Sequence, residues 1–251
     1  MSRVALITGA TSGIGKATAE LLAQHGFKLI LCGRRLDRLD DLVKNLSTKT
    51  NVIPLSFDIR SSDAVKEAIS SLPSEWSEID VLINNAGNAH GLDPIQAGNL
   101  ADWDAMIDIN VKGLLYVSHE IIPGMVKREK GHIINIGSIA GKEVYPNGNV
   151  YSASKFAVDA ITRGSRLDLN SYGIKVSSIN PGLVETEFSL VRFKGDEQRA
   201  NSVYKGYEPL QAIDIADAVL YILTRPDHVV IADVIIFPKA QASSTVLKRN
   251  P

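Results

Sequence analysis

Residues 4–15 have the sequence VALITGATSGIG, an apolar run followed at once by a glycine-rich stretch. The run Val4–Thr8 has the length and composition of a buried strand. Glycines at positions 9, 13 and 15 allow a tight turn, let the backbone approach a diphosphate and let a following helix pack closely on the strand. The helix N-terminus then offers free N–H groups to an anion. Strand, turn and helix together indicate a dinucleotide-binding site, although the glycines alone would also fit an ordinary turn.

The rest of the chain repeats this alternation of short apolar runs and longer segments of helical period. Six further strands are predicted at Lys28–Leu31, Val52–Ser56, Val81–Asn84, His132–Ile136, Val176–Asn180 and Val230–Phe237. Helices are expected at about 14–26, 36–46, 62–72, 99–128, 149–172 and 213–224. Right-handed crossovers then predict an α/β chain with a doubly wound Rossmann fold, in which helices flank a seven-stranded parallel sheet on both faces.

The length favours one domain. We expect residues 1–251 to form a single domain, with a cofactor half over about 1–140 and a catalytic and substrate half over about 130–251.

Charge and composition exclude several classes of protein. The chain has 27 Lys and Arg against 28 Asp and Glu, so it lacks the basic excess of a nucleic-acid binder. Its apolar runs are too short for a membrane span. The five histidines show no metal-ligand spacing with one another or with Cys32. We therefore expect no metal and no nucleic-acid or membrane partner, and we expect a cytoplasmic protein because a single cysteine fits a reducing compartment.

The second strand is followed by Gly33-Arg34-Arg35, where a site selective for NAD would place an acidic residue. Two guanidinium groups suit a ribose 2′-phosphate, because their planar forks bind phosphate oxygens in bidentate fashion. NADP is therefore the predicted cofactor. The alternative is a solvated basic patch paired with Asp37 or Asp40.

Tyr151 is the one tyrosine of seven that has a lysine, Lys155, four residues later, and both should lie on one face of a helix. A phenol with a pKa near 10 is a poor base at neutral pH. An ammonium about 4 Å away can stabilise the phenolate by about 4 kcal/mol at an effective dielectric near 20. The pair therefore predicts a general acid and base, and the alternative is an unremarkable surface pair.

Other polar residues follow the strands. Ser138 lies at the end of the fifth strand, where its hydroxyl can hydrogen-bond a substrate oxygen, and Asn84–Gly87 follows the fourth. Asn110 falls inside a predicted helix, although asparagine competes for backbone hydrogen bonds. It marks either a local kink that holds a water or an exposed, harmless asparagine.

These motifs, with Pro181–Thr186 after the sixth strand, make the chain resemble the short-chain dehydrogenase/reductase family over about residues 3–240. The resemblance implies that Tyr151 is the acid and base, that Lys155 lowers its pKa and holds the nicotinamide ribose, that Ser138 orients the substrate oxygen, and that Asn110 organises a water. It implies NADP contacts from Gly9, Thr11, Ser12, Gly13, Ile14, Gly15, Arg34, Arg35, Asp58, Ile59, Asn85, Ala86, Gly87, Tyr151, Lys155, Pro181, Gly182, Val184 and Thr186, with Asp58 against adenine.

The segment 185–196, ETEFSLVRFKGD, is similar to that of NADP-dependent 3-hydroxy acid dehydrogenases. This resemblance implies a small substrate such as L-serine, L-allo-threonine or malonic semialdehyde, bound by Ser138, Tyr151 and a cation. Arg192 is the candidate for a bidentate carboxylate clamp. The alternative is a salt bridge from Arg192 to Glu185, Glu187 or Asp196.

Two other functions fit the same motifs. One is a reductase for bulkier ketones or 3-oxoacyl thioesters, and the other is a non-catalytic NADPH-binding sensor, because a fold does not guarantee an activity. The family resemblance also implies a homotetramer formed through the long helices 99–128 and 149–172. The polar stretch 240–251 is either a loose tail or a contact with a neighbouring subunit.

Overall fold

The computed structural model describes residues 2–250. Its strands, in chain order, are β1 (Val4–Thr8), β2 (Lys28–Gly33), β3 (Val52–Ser56), β4 (Val81–Asn84), β5 (His132–Ile136), β6 (Lys175–Pro181), β7 (Val184–Glu185), β8 (Leu210–Gln211) and β9 (Asp233–Ile236). Seven of them form one open parallel sheet in the order β3-β2-β1-β4-β5-β6-β9, and β7 pairs with β8 separately. This confirms the predicted single-domain, doubly wound fold.

Helices cover both faces of the main sheet. They are α1 (Gly13–Gln24), α2 (Leu36–Leu46), α3 (Ser62–Ser70), α4 (Leu100–Ile107), α5 (Leu114–Arg128), α6 (Asn149–Leu169), α7 (Phe188–Arg192), α8 (Glu197–Ser202) and α9 (Ala212–Leu223). Alternate strand residues point to opposite faces. Ile7 therefore packs in the core with α1, α2 and α9, whereas Leu6 packs in the core with α3, α5 and α6. Burial on both faces explains why the strands are apolar throughout.

The strand order reverses between β1 and β4, which are neighbours at the centre of the sheet. The chain builds outward from β1 to β3 on one side and from β4 to β9 on the other. Open α/β sheets bind ligands at this switch point, beyond the carboxyl ends of the strands. The predicted site loops follow all six strands from β1 to β6, so the parallel sheet brings them to one edge.

Several boundaries differ from the sequence prediction. The predicted helix 99–128 is two α-helices joined by a π-helical segment, Asp108–Gly113. Helix α6 ends at Leu169 and a short 3₁₀ turn follows, while the last strand starts at Asp233 rather than Val230. The sequence analysis missed β7, β8, α7 and α8, because elements of two to six residues are too short to show a period.

Candidate active site

The glycine-rich turn is held by contacts with the loop after β4. The Thr8 hydroxyl accepts hydrogen bonds from the backbone N–H groups of Asn85 and Ala86, both at 3.0 Å. The Asn85 side-chain amide donates to the carbonyl oxygens of Thr8, at 2.9 Å, and Gly9, at 3.2 Å. A Cβ atom on Gly15 would lie 2.3 Å from the Gly9 carbonyl oxygen. Position 15 therefore needs glycine for the helix to pack against the turn.

The two arginines after β2 have carboxylate partners other than those considered from the sequence. Arg35 donates to the hydroxyls of Thr11 and Ser12, at 3.0 Å each, and pairs with Glu187 at 3.2 Å. Arg34 lies 3.8 Å from Asp58. Neither forms the alternative pair with Asp37 or Asp40. Arg35 thus contacts the turn directly, and both arginines line the cleft into which the turn opens.

One cleft of about 1130 Å³ brings together most of the predicted site residues. Its lining includes Gly9, Thr11, Ser12, Gly13, Ile14, Arg34, Arg35, Ile59, Asn85, Ala86, Gly87, Ser138, Tyr151, Lys155, Pro181, Gly182, Val184, Thr186 and Arg192. Gly15, Asp58 and Asn110 lie outside that lining. The Asp58 carboxylate pairs with Arg60 at 2.6 Å, and this pairing holds the pKa of Asp58 below its usual range.

Tyr151 and Lys155 are both buried and both line the cleft, as one helical turn of α6 requires. Burial raises the pKa of Tyr151 to about 12, although interactions with Ser138 and Arg192 act in the opposite direction. Burial also lowers the pKa of Lys155 to about 8, and its Nζ donates to the carbonyl oxygen of Ile136 at 3.0 Å. Ser138 and Arg192 are the groups that lower the pKa of Tyr151 here, and the lowering by Lys155 that the family resemblance implies stays a prediction.

Asn110 occupies the π-helical segment and is 2% exposed, so the alternative of a harmless exposed asparagine is wrong. Its Oδ1 accepts from the backbone N–H of Asn88, and its Nδ2 donates to the Asn88 carbonyl oxygen, both at 2.8 Å. Nδ2 also donates to the Ser154 hydroxyl at 3.0 Å. A Cβ atom on Gly87 would lie 3.1 Å from Asn110 Oδ1 and 3.5 Å from Lys155 Nζ. Asn110 thus ties the loop after β4 to α6, directly behind the cleft.

Arg192 lies at the other end of the cleft, among aromatic rings. Its Cζ is 5.2 Å from the ring centre of Tyr151, 5.6 Å from that of Tyr145 and 5.9 Å from that of Phe188. The guanidinium donates to the Tyr145 hydroxyl and, at 3.2 Å, to the Gly91 carbonyl oxygen. Within the described residues 2–250 it has no carboxylate partner, so the alternative salt bridges are not formed. A cation therefore stands beside the predicted acid and base.

The cleft wall also includes residues that the sequence analysis missed: Tyr145, Glu187, Phe188, Tyr204, Gln241, Thr245, Leu247 and Arg249. The Gln241 side chain accepts from the backbone N–H of Leu183 at 2.9 Å, and Arg249 donates to the Val203 carbonyl oxygen at 2.9 Å. The stretch after β9 therefore packs on its own chain. No local pattern marks these positions, because only the tertiary fold brings them to the cleft.

The residues present fit a dinucleotide. Gly9 and Gly13 have positive φ angles of 65° and 50°, which glycine adopts without strain, and the helix N-terminus after them faces the cleft. The hydroxyls of Thr11 and Ser12 and the guanidinium of Arg35 supply donors for phosphate oxygens. Among residues 2–250 no cluster of His, Cys, Asp and Glu is placed to hold a metal ion, and no helix is long and apolar enough to cross a membrane.

Comparison with known proteins agrees with this geometry. Residues 3–196 match the short chain dehydrogenase family. The chain is 45% identical over 240 residues to the NADP-dependent 3-hydroxy acid dehydrogenase YdfG of Salmonella typhi. The aligned region covers 95% of this chain and 96% of that protein. It is 42% identical over 245 residues to sulfoacetaldehyde reductase 2 of Chromohalobacter salexigens, with 97% of each covered.

Among solved structures, the closed form of serine dehydrogenase complexed with NADP⁺ superposes with a TM-score of 0.93 and 41% identity, over 99% of this chain and 100% of that one. The sequence, the sheet order and the residues that meet in the cleft agree with these likenesses. The chain belongs to the short-chain dehydrogenase family.

Proposed function

We propose that this protein is an NADP-dependent oxidoreductase that interconverts a small 3-hydroxy acid and its oxo counterpart, with substrates of the L-serine, L-allo-threonine and malonic semialdehyde type. One observation carries the proposal: the Arg192 guanidinium lies 5.2 Å from the ring centre of Tyr151, without a carboxylate partner in residues 2–250. A substrate carboxylate bound there would place the neighbouring carbon near the phenol.

The glycine-rich turn, Arg34, Arg35 and the loops after β4 and β6 would hold NADP. The names of the Salmonella relative and of the serine dehydrogenase complex support this choice of cofactor. When bound, NADP would supply hydride transfer at the alcohol or carbonyl carbon of the substrate.

Tyr151 would move the proton. Its raised pKa of about 12 keeps the phenol protonated at neutral pH, so it is ready to donate a proton to the oxygen of a carbonyl substrate. In the oxidative direction the phenol must first lose this proton, and the phenolate oxygen then takes a proton from the alcohol. The Ser138 hydroxyl, which accepts from the Ala140 N–H at 3.1 Å, is held in place to hydrogen-bond the substrate oxygen. The buried Lys155 would contact the cofactor ribose.

A second candidate is the reduction of small sulfonate aldehydes. The Chromohalobacter relative is named a sulfoacetaldehyde reductase, and a guanidinium binds the oxygen atoms of a sulfonate as it binds those of a carboxylate. Reduction of bulkier ketones or thioesters, and NADPH binding without catalysis, remain the alternatives that the experiment must exclude.

The test compares wild type, Tyr151→Phe and Arg192→Met on hydroxy acids, amino acids, small sulfonates and neutral ketones, with NADP⁺ or NAD⁺ and their reduced forms. We expect Tyr151→Phe to lose turnover at least about a thousandfold while NADPH still binds, because only the proton-transferring hydroxyl is removed. Arg192→Met should raise KM for acids by about tenfold or more and leave KM for neutral ketones nearly unchanged.

Each alternative has its own outcome. Turnover by Tyr151→Phe would remove the acid and base assignment. Wild-type binding of NADPH without turnover of any substrate would favour the sensor. A function on bulkier ketones or thioesters would be favoured if wild type reduces ketones strongly and Arg192→Met turns over hydroxy acids as fast as wild type does.

We also propose the homotetramer implied by the family, with the long helices α5 and α6 at the interface. Leu115 on α5 and Phe156 and Leu167 on α6 are exposed apolar side chains, which such an interface would bury. Light scattering coupled to gel filtration will measure the assembly. A cytoplasmic location stays a prediction.

A further inference from the structure

Glu187 reaches across the cleft from the segment that follows β6 to the segment that follows β2. Its carboxylate accepts from Arg38 Nη1 at 2.8 and 3.0 Å and from Arg35 Nη1 at 3.2 Å. These partners are 149 and 152 residues away in the sequence. The three charged side chains therefore join the catalytic half of the chain to the cofactor half.

The same contacts include the glycine-rich turn. Arg35 uses its other terminal nitrogen for the hydroxyls of Thr11 and Ser12. A Cβ atom on Gly13 would lie 3.3 Å from Thr186, the residue before Glu187. Residues 186 and 187 therefore lie directly over the turn, at the place where the cofactor diphosphate would bind.

We propose that Glu187 is a positioning residue whose ion pairs with Arg35 and Arg38 hold residues 186–192 closed over bound NADP. This inference rests on the proposed NADP site. Glu187 directly precedes α7, which carries Phe188 and Arg192. The ion pairs therefore also hold Arg192, the cation proposed to bind the substrate, in its place. The likeness to a closed serine dehydrogenase with NADP⁺ bound supports the view that these contacts belong to a closed arrangement.

The size of the effect follows from exposure. The side chains of Glu187, Arg35 and Arg38 are 44%, 41% and 42% exposed, and exposed ion pairs are individually weak. Burial alone would raise the pKa of Glu187, but the hydrogen bonds and charges of Arg38 and Arg35 outweigh it. The net pKa is therefore below its usual value, and the carboxylate is ionised near neutral pH. Two pairs that share one carboxylate lead us to expect about a fivefold effect on cofactor release.

The experiment measures the rate of NADPH release by stopped-flow fluorescence, which does not depend on turnover. Glu187→Gln should release NADPH about fivefold faster than wild type, and Arg38→Gln should have a smaller effect because it leaves the pair of Glu187 with Arg35 intact. The double variant should be no faster than Glu187→Gln alone, because Arg38 acts through Glu187. NADH lacks the 2′-phosphate that Arg35 is predicted to bind, so faster release of both cofactors would separate retention by residues 186–192 from an effect at the 2′-phosphate. Glu185→Gln is the matched control, because Glu185 bonds only to Gln211 in the described residues.

Other outcomes overturn the proposal in distinguishable ways. Tighter NADPH binding in Glu187→Gln with NADH unchanged would mean that the carboxylate competes with the 2′-phosphate. Unchanged release rates would mean that the ion pairs have no role in retention. Failure of the wild-type protein to bind NADPH would overturn the proposed cofactor site itself, whereas normal wild-type binding would confine the failure to Glu187.

Discussion

Burial of the Lys155 ammonium group in the site has a cost in folding stability. Lys155 is 7% exposed, and within residues 2–250 its hydrogen-bond acceptor is the Ile136 carbonyl oxygen. The charged form is poorly solvated there, which lowers the pKa of Lys155 from 10.5 to about 8. At neutral pH the folded protein therefore holds a charge that the unfolded chain would expose to water. Lys155 therefore destabilises the folded state, while it provides a cation at the cleft.

Replacement of Lys155 by methionine should raise the free energy of unfolding at pH 7 by about 1–3 kcal/mol, while it removes activity. The folded pKa lies below the unfolded one, so the destabilisation by lysine is complete below pH 8 and disappears as the pH rises through 10.5. The gain should shrink over that range. Urea unfolding monitored by circular dichroism from pH 7 to 10 measures it.

Lys142 provides the control for this prediction. It is also largely buried, but it pairs with Asp159 at 2.6 Å and with Asp233 at 2.5 Å. Lys142→Met should lower stability, because Asp233 loses its cation and Asp159 keeps only its pair with the exposed Arg163. A Lys155→Met variant that is less stable than wild type at pH 7 would contradict the account.

At the scale of elements, the π-helical segment between α4 and α5 places Asn110 where it can hold the loop after β4. A π-helix bonds each residue to the fifth along the chain rather than the fourth, so it holds more residues per turn than an α-helix does. A continuous α-helix over the predicted range 99–128 would therefore orient Asn110 differently. An asparagine in a helical stretch signals an irregularity, because its side chain competes for backbone hydrogen bonds. A break in regular helix at Asn110 is therefore predictable from the sequence, whereas the π-helical form of the segment is not.

Replacement of Asn110 by leucine should lower the free energy of unfolding by about 2–4 kcal/mol, because it removes three hydrogen bonds and leaves the backbone N–H and C=O of the half-buried Asn88 without these partners. Denaturant unfolding measures the change. Lys112 lies in the same segment with an exposed side chain, so Lys112→Ala should change the stability by less than about 0.5 kcal/mol. Equal changes in the free energy of unfolding for the two substitutions would show that the three hydrogen bonds of Asn110 do not stabilise the fold.

Local patterns explain which parts of the fold and site were predictable. The strand β1, its glycine turn and the Tyr151–Lys155 spacing are carried by neighbouring residues, so the sequence shows them directly. The contacts of Glu187 and Gln241 join residues far apart in the chain, and the short helix α7 has no period of its own. The burial that raises the pKa of Tyr151 is likewise a property of the assembled cleft, which residue spacing does not reveal.

At the scale of the whole molecule, folding buries a titratable group at the start of β5, on the opposite edge of the sheet from the cleft. His132 is 3% exposed, and its Nε2 lies 2.8 Å from the Ser177 hydroxyl. Burial, with Arg3 and Lys175 nearby, lowers its pKa to about 3. The folded protein therefore keeps this imidazole neutral, whereas the unfolded chain protonates it near pH 6.5.

Stability should consequently fall as the pH drops from about 6.5 towards 3, with up to about 4 kcal/mol lost through this one group. His132→Gln should have a shallower acid dependence, because glutamine can bond to Ser177 without titrating. His119 is exposed, so His119→Gln should leave the acid dependence as it is in wild type. Thermal unfolding at a series of pH values measures all three proteins, and identical profiles would contradict the assignment.

The stretch after β9 has a practical consequence. Gln241, Thr245, Leu247 and Arg249 form part of the cleft wall, while β1 starts at the amino edge of the sheet, away from that cleft. An affinity tag or fluorescent fusion placed after residue 251 should therefore lie near the cleft wall and disturb kinetic measurements. Purification and immobilisation handles for this enzyme belong on its amino end.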